Sequence, residues 1–362
     1  MKVTRFNALH KQLNAKMVEF AGFEMPIQYS NGIIAEHLVV RNKVGVFDVS
    51  HMGEFEIRGK QALEFVQYIS INDASKLKFG QAQYSAMAYP DGGLVDDMLV
   101  YNLGDYFMLV VNGANIDKDW DWINKNKGNF DVELVNASDD INLLAVQGPD
   151  SLKTLQKLTN TDLSQIAYYH FTLGKMADID ALVSRTGYTG ELGFEIYFRG
   201  DEQVATKMWN AIFEAGKEFG IEPVGLGARD TIRLEKGYCL YGNDIDQTTN
   251  PIEANLGWIT KLNKGVFIGS DAIAKVKEQG PARKLIGFIS DADKFIPRHN
   301  YPIFSKEGEK IGFVTSGNIS PILNKPIGMG YVAIDFAKPD TEIEIEARNR
   351  KFPAKVVKVP FV

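Results

Sequence analysis

Cysteine is almost absent from this chain: Cys239 is the only one in 362 residues. No disulfide can form within the chain, and cysteine-rich zinc or iron–sulfur sites are excluded within one chain. Between Tyr238 and Leu240, Cys239 reads as a small core residue. Histidine is scarce too. His10, His37, His51, His170 and His299 make no pair four residues apart, and each reads as a surface or satisfied core histidine. No apolar run approaches the roughly 18 residues of a membrane span. The opening Met1-Lys2-Val3-Thr4-Arg5-Phe6 has no apolar stretch of the kind that leads a secretory signal. An excess of positive charge is also missing. The net charge is −6, so no global field draws the protein to nucleic acid or an anionic membrane. Basic stripes with interleaved aromatics are absent. The expectation is a protein with no metal, no nucleic-acid partner and no membrane, placed in the cytoplasm or in an organelle matrix after loss of a transit peptide.

Common nucleotide and hydrolase signatures are missing as well. Gly225-Leu226-Gly227-Ala228-Arg229-Asp230 starts as a dinucleotide fingerprint but has aspartate where the third glycine belongs. There is no P-loop, no H-E-x-x-H and no G-x-S-x-G. Asp244-Ile245-Asp246-Gln247-Thr248 begins as a calcium loop but lacks glycine at position six and glutamate at position twelve, so it reads as a polar turn before Pro251.

What is present is apolar material: 45% of residues are hydrophobic, enough for a large core, and the length suggests two or three domains. Gly32–Arg41 reads as a helix with Asn31 as its N-cap. Helices are also expected around 117–126 and 151–158, the latter with Leu152, Leu155 and Leu158 on one face. Residues 202–219 form the clearest amphipathic helix, with a stripe of Val204, Met208, Ile212, Ala215 and Phe219 that reads as core packing and stops at Gly220. A strand is expected at Phe55–Arg58, and residues 82–112 read as a meander of strands Ala82–Tyr89, Leu94–Tyr101 and Tyr106–Asn112. After Lys275 the composition shifts. Glu278–Pro281 reads as a linker, and short strands follow at 284–290, 302–305, 310–315, 328–334, 341–347 and 351–359, the pattern of a small β-barrel or sandwich.

Chemistry concentrates in three places. Asp96 and Asp97 lie inside an apolar strand that follows the turn Asp91-Gly92-Gly93. Alternation puts Asp96 on the face of Leu94, Met98 and Val100, and Asp97 on the face of Val95, Leu99 and Tyr101. A carboxylate in such a place must be paired or hydrogen-bonded, and is a candidate for chemistry. Arg185–Glu195 is rich in glycine. It reads either as a glycine-bent hairpin or as a close approach to a ligand, with Glu195 accepting hydrogen bonds from a flat amino-heterocycle. Arg229 and Arg233 lie one turn apart, either as a solvated ion-paired face or as cations for a carboxylate-bearing ligand.

Together these segments resemble the T-protein family of the glycine cleavage system, folate-dependent aminomethyltransferases. The resemblance rests on Met17–Pro26, Val46–Glu54, Asp91–Asp97, Val110–Asn115, Ser184–Gly190, Gly225–Asp230, Leu240–Asp244 and Thr315–Pro321, in order along the whole chain. It implies an α+β fold, a three-domain cloverleaf around a central folate channel. Its parts would be residues 1–50 plus 140–260 as a first α+β folate-binding domain, 51–139 as a second interleaved α+β domain with the meander, and 280–362 as a C-terminal β-barrel. It implies tetrahydrofolate as one-carbon acceptor, the lipoylated H-protein as partner, a monomer, and a cytoplasmic bacterial-type chain. The reaction implied moves the methylene carbon of the lipoyl-bound aminomethyl group to tetrahydrofolate, releasing ammonia and leaving dihydrolipoyl H-protein.

Carried over position by position, the resemblance makes Asp97 the catalytic carboxylate beside the folate nitrogens. It makes Tyr84, Asn112, Tyr188, Glu195, Arg229 and Tyr238 folate-binding, joined by Tyr168 or Tyr169. Phe23 stands where many relatives carry tryptophan, and no arginine follows Arg350, whereas many relatives continue into a basic tail. Two other readings compete. One is a folate-dependent enzyme that removes methyl or methylene groups from amines or sulfonium compounds. The other is a non-catalytic folate-binding factor, whose Lys-Gly-Cys and Gly-Gln-Glu signature fails here, because Lys236-Gly237 is followed by Tyr238 and Gly242 by Asn243-Asp244.

Overall fold

Alternating and helical hydrophobic patterns sort the chain into mixed helices and strands. The computed structural model describes residues 1–292 and 295–362. The chain divides into two units: Met1–Gln67, Ala74–Tyr84 and Met98–Asp230 in one; Tyr68–Asp73, Ser85–Asp97 and Thr231–Val362 in the other. The strands Gln81–Ala88 and Leu94–Asn102 each begin in one unit and end in the other.

In the first unit a six-stranded sheet runs Phe171–Met176, Ile179–Ser184, Gly193–Arg199, Ile141–Gln147, Gly45–Asp48, Glu222–Pro223. All its pairings are antiparallel except the last, which is parallel. Phe194, Ile196 and Phe198 enter a core with Val46, Leu144, Val146, Met208, Trp209 and Ile212. Period-two alternation therefore turns Glu195, Tyr197 and Arg199 to the other face. A second sheet pairs Met98–Asn102 with Phe107–Val111, that strand with Gly53–Arg58, and that in turn with Glu133–Asn136.

The amphipathic helix spans Glu202–Gly216, with Lys217–Phe219 as a 3₁₀ turn. Its Asp201 cap accepts from the N–H groups of Gln203 and Val204 at 3.0 Å each, satisfying two otherwise orphan donors. The fully buried stripe is Ala205, Met208, Trp209, Ile212 and Gly216. Val204 and Phe219 pack only at its margin. The expected stripe is thus displaced by one position, because Trp209 carries more area to bury than Val204. The helix Gly32–Asn42 stands as expected, but Asn31 makes no side-chain cap. Its amide donates to Glu222 at 2.6 Å instead.

In the second unit the strand-rich tail closes into a barrel. Its order is Arg283–Ile289, Lys325–Ala333, Lys310–Ser320, Pro302–Phe304, Glu342–Ala347, Arg350–Val357, with the last strand returning to the first. Closure removes sheet edges and resolves the barrel-or-sandwich alternative. Ile343 and Ile345 are fully buried while Glu342, Glu344 and Glu346 point outward, as the alternation requires. The turn before Leu94 needs glycine at Gly93: a Cβ there would lie 1.9 Å from the carbonyl oxygen of Gln247. Its N–H instead donates a hydrogen bond to the Asp91 carboxylate, at 3.0 Å.

Candidate functional site

Within the first unit, polar side chains gather on the face of Gly193–Arg199 that turns away from the core. Glu195 is mostly buried and accepts from the Thr186 hydroxyl at 2.5 Å. The Tyr101 hydroxyl lies 3.1 Å from those of Ser184, Thr186 and Tyr197. Burial pushes the Glu195 carboxyl above the usual carboxylate range, while Thr186, the charge of Arg229 and Tyr197 pull the other way. Burial pushes the Tyr101 and Tyr197 phenols up, and the charge of Glu195 adds to it. Arg229 comes from the helix Leu226–Glu235, and its guanidinium lies 4.7 Å from the ring centroid of Tyr188. An arginine over an aromatic face is held by the ring's quadrupole.

His51 lies in the same unit, 1% exposed, edge-on to Phe20 and Phe23. Burial and the Arg229 charge depress it to about 3, so it is neutral at physiological pH. Its Nδ1 has no hydrogen-bond partner among the described residues. Glu54 is 1% exposed, and neither of its carboxyl oxygens has one.

The glycine-rich segment has a different origin from a ligand contact. A Cβ on Gly187 or Gly193 would lie 2.2 or 2.4 Å from the side chain of Gln147. The Gln147 amide donates to the Thr186 carbonyl at 3.2 Å and accepts from the Thr189 hydroxyl at 2.7 Å. The glycines let the hairpin close over this buried glutamine, and Arg41 ties the tip by its bonds to the Thr189 carbonyl and Glu191. The hairpin reading holds for Gly187 and Gly193; the close approach they make is to protein.

In the second unit the two aspartates separate as alternation demands. Asp96 is fully buried and Asp97 is partly exposed. Tyr238 and Cys239 follow the helix Leu226–Glu235. Arg233 fixes them: its carbonyl accepts from the Tyr238 N–H at 3.0 Å, and its guanidinium donates to the Tyr238 carbonyl at 3.0 Å and to Asp244 at 2.7 Å. Asp244 also takes Leu240 N–H, Ser316 and Thr315 hydroxyls. Arg233 is 2% exposed, so the solvated-face reading fails for it. Asp244 belongs to this buried pair, while Asp246 makes the polar turn with Thr248. Burial pushes the Cys239 thiol up, and the charges of Asp244 and Asp97 push further. Asp97 therefore lies within electrostatic range of the Tyr238–Cys239 segment.

Structure thus groups Tyr188, Glu195 and Arg229 in one unit, and Asp97 and Tyr238 in the other. Tyr168 is 59% exposed, its ring edge-on to Tyr169 at 4.7 Å. Asn112 follows the strand Tyr106–Val111 and caps the turn Gly113–Asn115, and Tyr84 lies within Gln81–Ala88. Sequence reasoning missed Glu54, Thr186, Tyr101, Tyr197 and Gln147. Nothing in a strand such as Gly53–Arg58 shows that a second layer covers its glutamates. Among the described residues, no group of three or more His, Cys, Asp or Glu side chains is disposed to hold a metal, and no helix is long and apolar enough to cross a membrane.

A mixed helix-and-strand unit with a polar, arginine-and-glutamate face and a closed six-stranded C-terminal barrel define a two-part class of protein, and two family models match the chain. Residues 6–264 match the GCVT N-terminal domain, and residues 283–362 match the glycine cleavage T-protein C-terminal barrel domain. The chain belongs to the glycine cleavage T-protein family. It is 51% identical over 363 residues to an aminomethyltransferase of Halothermothrix orenii, covering 100% of both chains. It is 54% identical over 364 residues to one of Bacteroides thetaiotaomicron, covering 100% of this chain and 99% of the other. The crystal structure of the glycine cleavage system aminomethyltransferase T from Bartonella henselae superposes with a TM-score of 0.93 at 34% identity, covering 100% of this chain and 98% of that one.

Proposed function

We infer that this chain is an aminomethyltransferase of the glycine cleavage system: it transfers the methylene carbon of a lipoyl-bound aminomethyl group on H-protein to tetrahydrofolate. The products are 5,10-methylenetetrahydrofolate, ammonia and dihydrolipoyl H-protein. Supporting it is the full-length match to aminomethyltransferases at 51–54% identity. The observation that carries the folate reading is the Arg229–Tyr188 stack beside a mostly buried Glu195. A flat pterin needs an aromatic wall and a carboxylate for its amino edge, and the rest of the molecule carries anionic groups that suit a guanidinium. Tyr188 and Arg229 supply wall and cation, and Glu195 accepts from the amino edge.

In this reading Tyr84, Asn112, Tyr169 and Tyr238 add contacts to folate, and Tyr168 offers an exposed ring. Asp97 polarises the attacking amine of folate and stabilises the iminium-like cation that forms as ammonia leaves. No covalent nucleophile on the protein is needed, because holding amine and aminomethyl carbon together supplies several kcal/mol. The partner is the lipoylated H-protein, the protein acts as a monomer, and the setting is cytoplasmic. The domains proposed are those expected from sequence, with 280–362 as the barrel.

A labelled aminomethyl carbon on H-protein tests this. The label passes to 5,10-methylenetetrahydrofolate on adding the protein and tetrahydrofolate. Label that remains on H-protein would refute the reading.

A further inference from the structure

Glu54 is a buried acid that the function above does not use. Its backbone is fixed on both sides: its N–H donates to the Ser138 hydroxyl at 3.0 Å, and its carbonyl accepts from the Ala137 N–H at 2.9 Å. Its side chain is placed by register. Glu54 lies opposite Val110, which lies opposite Leu99; Glu56 lies opposite Met108, which lies opposite Tyr101. These are adjacent rows on one face of the sheet. Tyr101 reaches the Tyr197 hydroxyl, and Glu56 bonds Arg199 at 3.0 Å. The face that carries Glu54 is thus the one that meets Glu195, Tyr197 and Arg199. Two buried carboxyl oxygens with no partner among the described residues are costly unless something supplies a bond in the working state. Leu99 and Glu195 keep partial exposure, so a ligand that covers them lies beside Glu54.

We propose that Glu54 is a second ligand-binding acid, which donates a hydrogen bond to the heterocycle edge whose N–H groups Glu195 accepts. A carboxylic acid beside a carboxylate presents one donor and an array of acceptors. That set matches an edge in which a ring carbonyl or ring nitrogen adjoins N–H groups, as in a 2-amino-4-oxo heterocycle. The inference rests on the reading of Glu195 given under the proposed function.

The surroundings keep the proton on Glu54. Burial holds its carboxyl well above the usual carboxylate range, the Glu195 charge adds to this, and Arg199 opposes it. Other groups on these faces are Tyr197 and Tyr101, which burial keeps protonated, and Glu56, which is ion-paired with Arg199 and Arg58. Ionising Glu54 removes the donor and sets a second negative charge beside Glu195, so affinity falls as pH rises through its raised value.

Anaerobic calorimetry of tetrahydrofolate binding to the full chain tests this. Glu54→Gln keeps an N–H donor and should bind within about three-fold of the parent at pH 7, whereas Glu54→Met should bind about ten-fold more weakly, the usual effect of deleting one ligand hydrogen bond. Parent affinity should decline as pH rises through the raised range of Glu54, by the linkage above, and that decline should vanish in Glu54→Gln. A folded Glu54→Met protein that binds like the parent would overturn the proposal. Should Glu54→Met fail to fold, identical pH profiles for the parent and Glu54→Gln would overturn it. Glu195→Gln separates the two levels. If it weakens binding while Glu54→Met does not, only the role of Glu54 falls; if neither weakens binding, the reading of Glu195 falls with it.

Discussion

The guanidinium of Arg229 lies 4.7 Å from the centre of the Tyr188 ring, and its charge is felt by both Glu195 and His51. One cation therefore does three things in the first unit. It stacks on an aromatic wall, pulls a mostly buried carboxyl toward ionisation, and adds to the burial that keeps His51 neutral. Replacing Arg229 with alanine removes a stack of about 0.5–2 kcal/mol and a charge-assisted donor. Tetrahydrofolate affinity should fall by about ten-fold or more, measured by calorimetry. Arg229→Lys keeps the charge but not the planar fork, so it should recover only part of that loss. Full recovery would show that charge alone matters.

Glu195 gives a pH prediction with a definite sign. Its carboxyl is held above the usual carboxylate range by burial. The form that accepts N–H groups is the ionised one, so tetrahydrofolate affinity should fall as pH drops from 7 toward 5, and Glu195→Gln should flatten that limb. The same shift bears on stability in the opposite sense. A group whose folded value is raised binds protons more tightly when folded, so its contribution is full at low pH and is lost as pH rises through the raised value. Thermal melts of the parent and Glu195→Gln at pH 5 and 8 should therefore differ most at pH 8, with the variant gaining relative to the parent. A Glu195→Gln protein that keeps the acid limb would assign that limb to another group.

The neighbouring aspartates should part company in mutants. Asp97, partly exposed, is the proposed catalytic carboxylate. Asp97→Asn should lower turnover by about 10²–10³-fold, the scale for losing a group that stabilises developing charge, with tetrahydrofolate affinity little changed. Asp96 is fully buried. Asp96→Ala should instead lower stability by about 1–3 kcal/mol, the range for disturbing a buried polar group. Steady-state kinetics and urea denaturation on both variants check this, and the reverse pattern would reassign the roles.

Asp244 anchors the second unit. It pairs with Arg233 at 2.7 Å, both essentially out of solvent, and accepts from Leu240, Thr315 and Ser316 as well. Asp244→Ala leaves a buried guanidinium uncompensated and should cost about 3–5 kcal/mol. The midpoint of urea unfolding reads it directly. A loss under about 1 kcal/mol would mean that water or another acid takes over the arginine.

Much of the architecture was legible because it rests on local pattern. Five of the six barrel strands lie within three residues of the bounds that alternation and turn glycines give, while the one expected at 310–315 runs on to Ser320, and the split between Asp96 and Asp97 follows from period two alone. What stayed hidden depends on a second layer. Glu54 and Glu56 alternate with Phe55 and Ile57 as in any half-exposed strand, yet both glutamates are buried. Trp209 displaced Val204 from the helix stripe because area, not position in a template, decides which side is buried. The glycine-rich segment 185–195 reads equally as a bent hairpin or as a ligand approach; what decides it for Gly187 and Gly193 is Gln147, a residue some 40 positions away in the chain. Arg229 and Arg233 looked equivalent at one-turn spacing; only tertiary packing gives one an aromatic ring and the other a buried aspartate.

The central claim is one-carbon transfer to tetrahydrofolate, and ammonia release tests it most directly. Aminomethylated H-protein is mixed with catalytic amounts of this chain, with and without tetrahydrofolate, and free ammonia is followed over time. The account requires release that is strongly accelerated by tetrahydrofolate, with one methylenetetrahydrofolate formed per ammonia. Release at the same rate without tetrahydrofolate, or none with it, would contradict it.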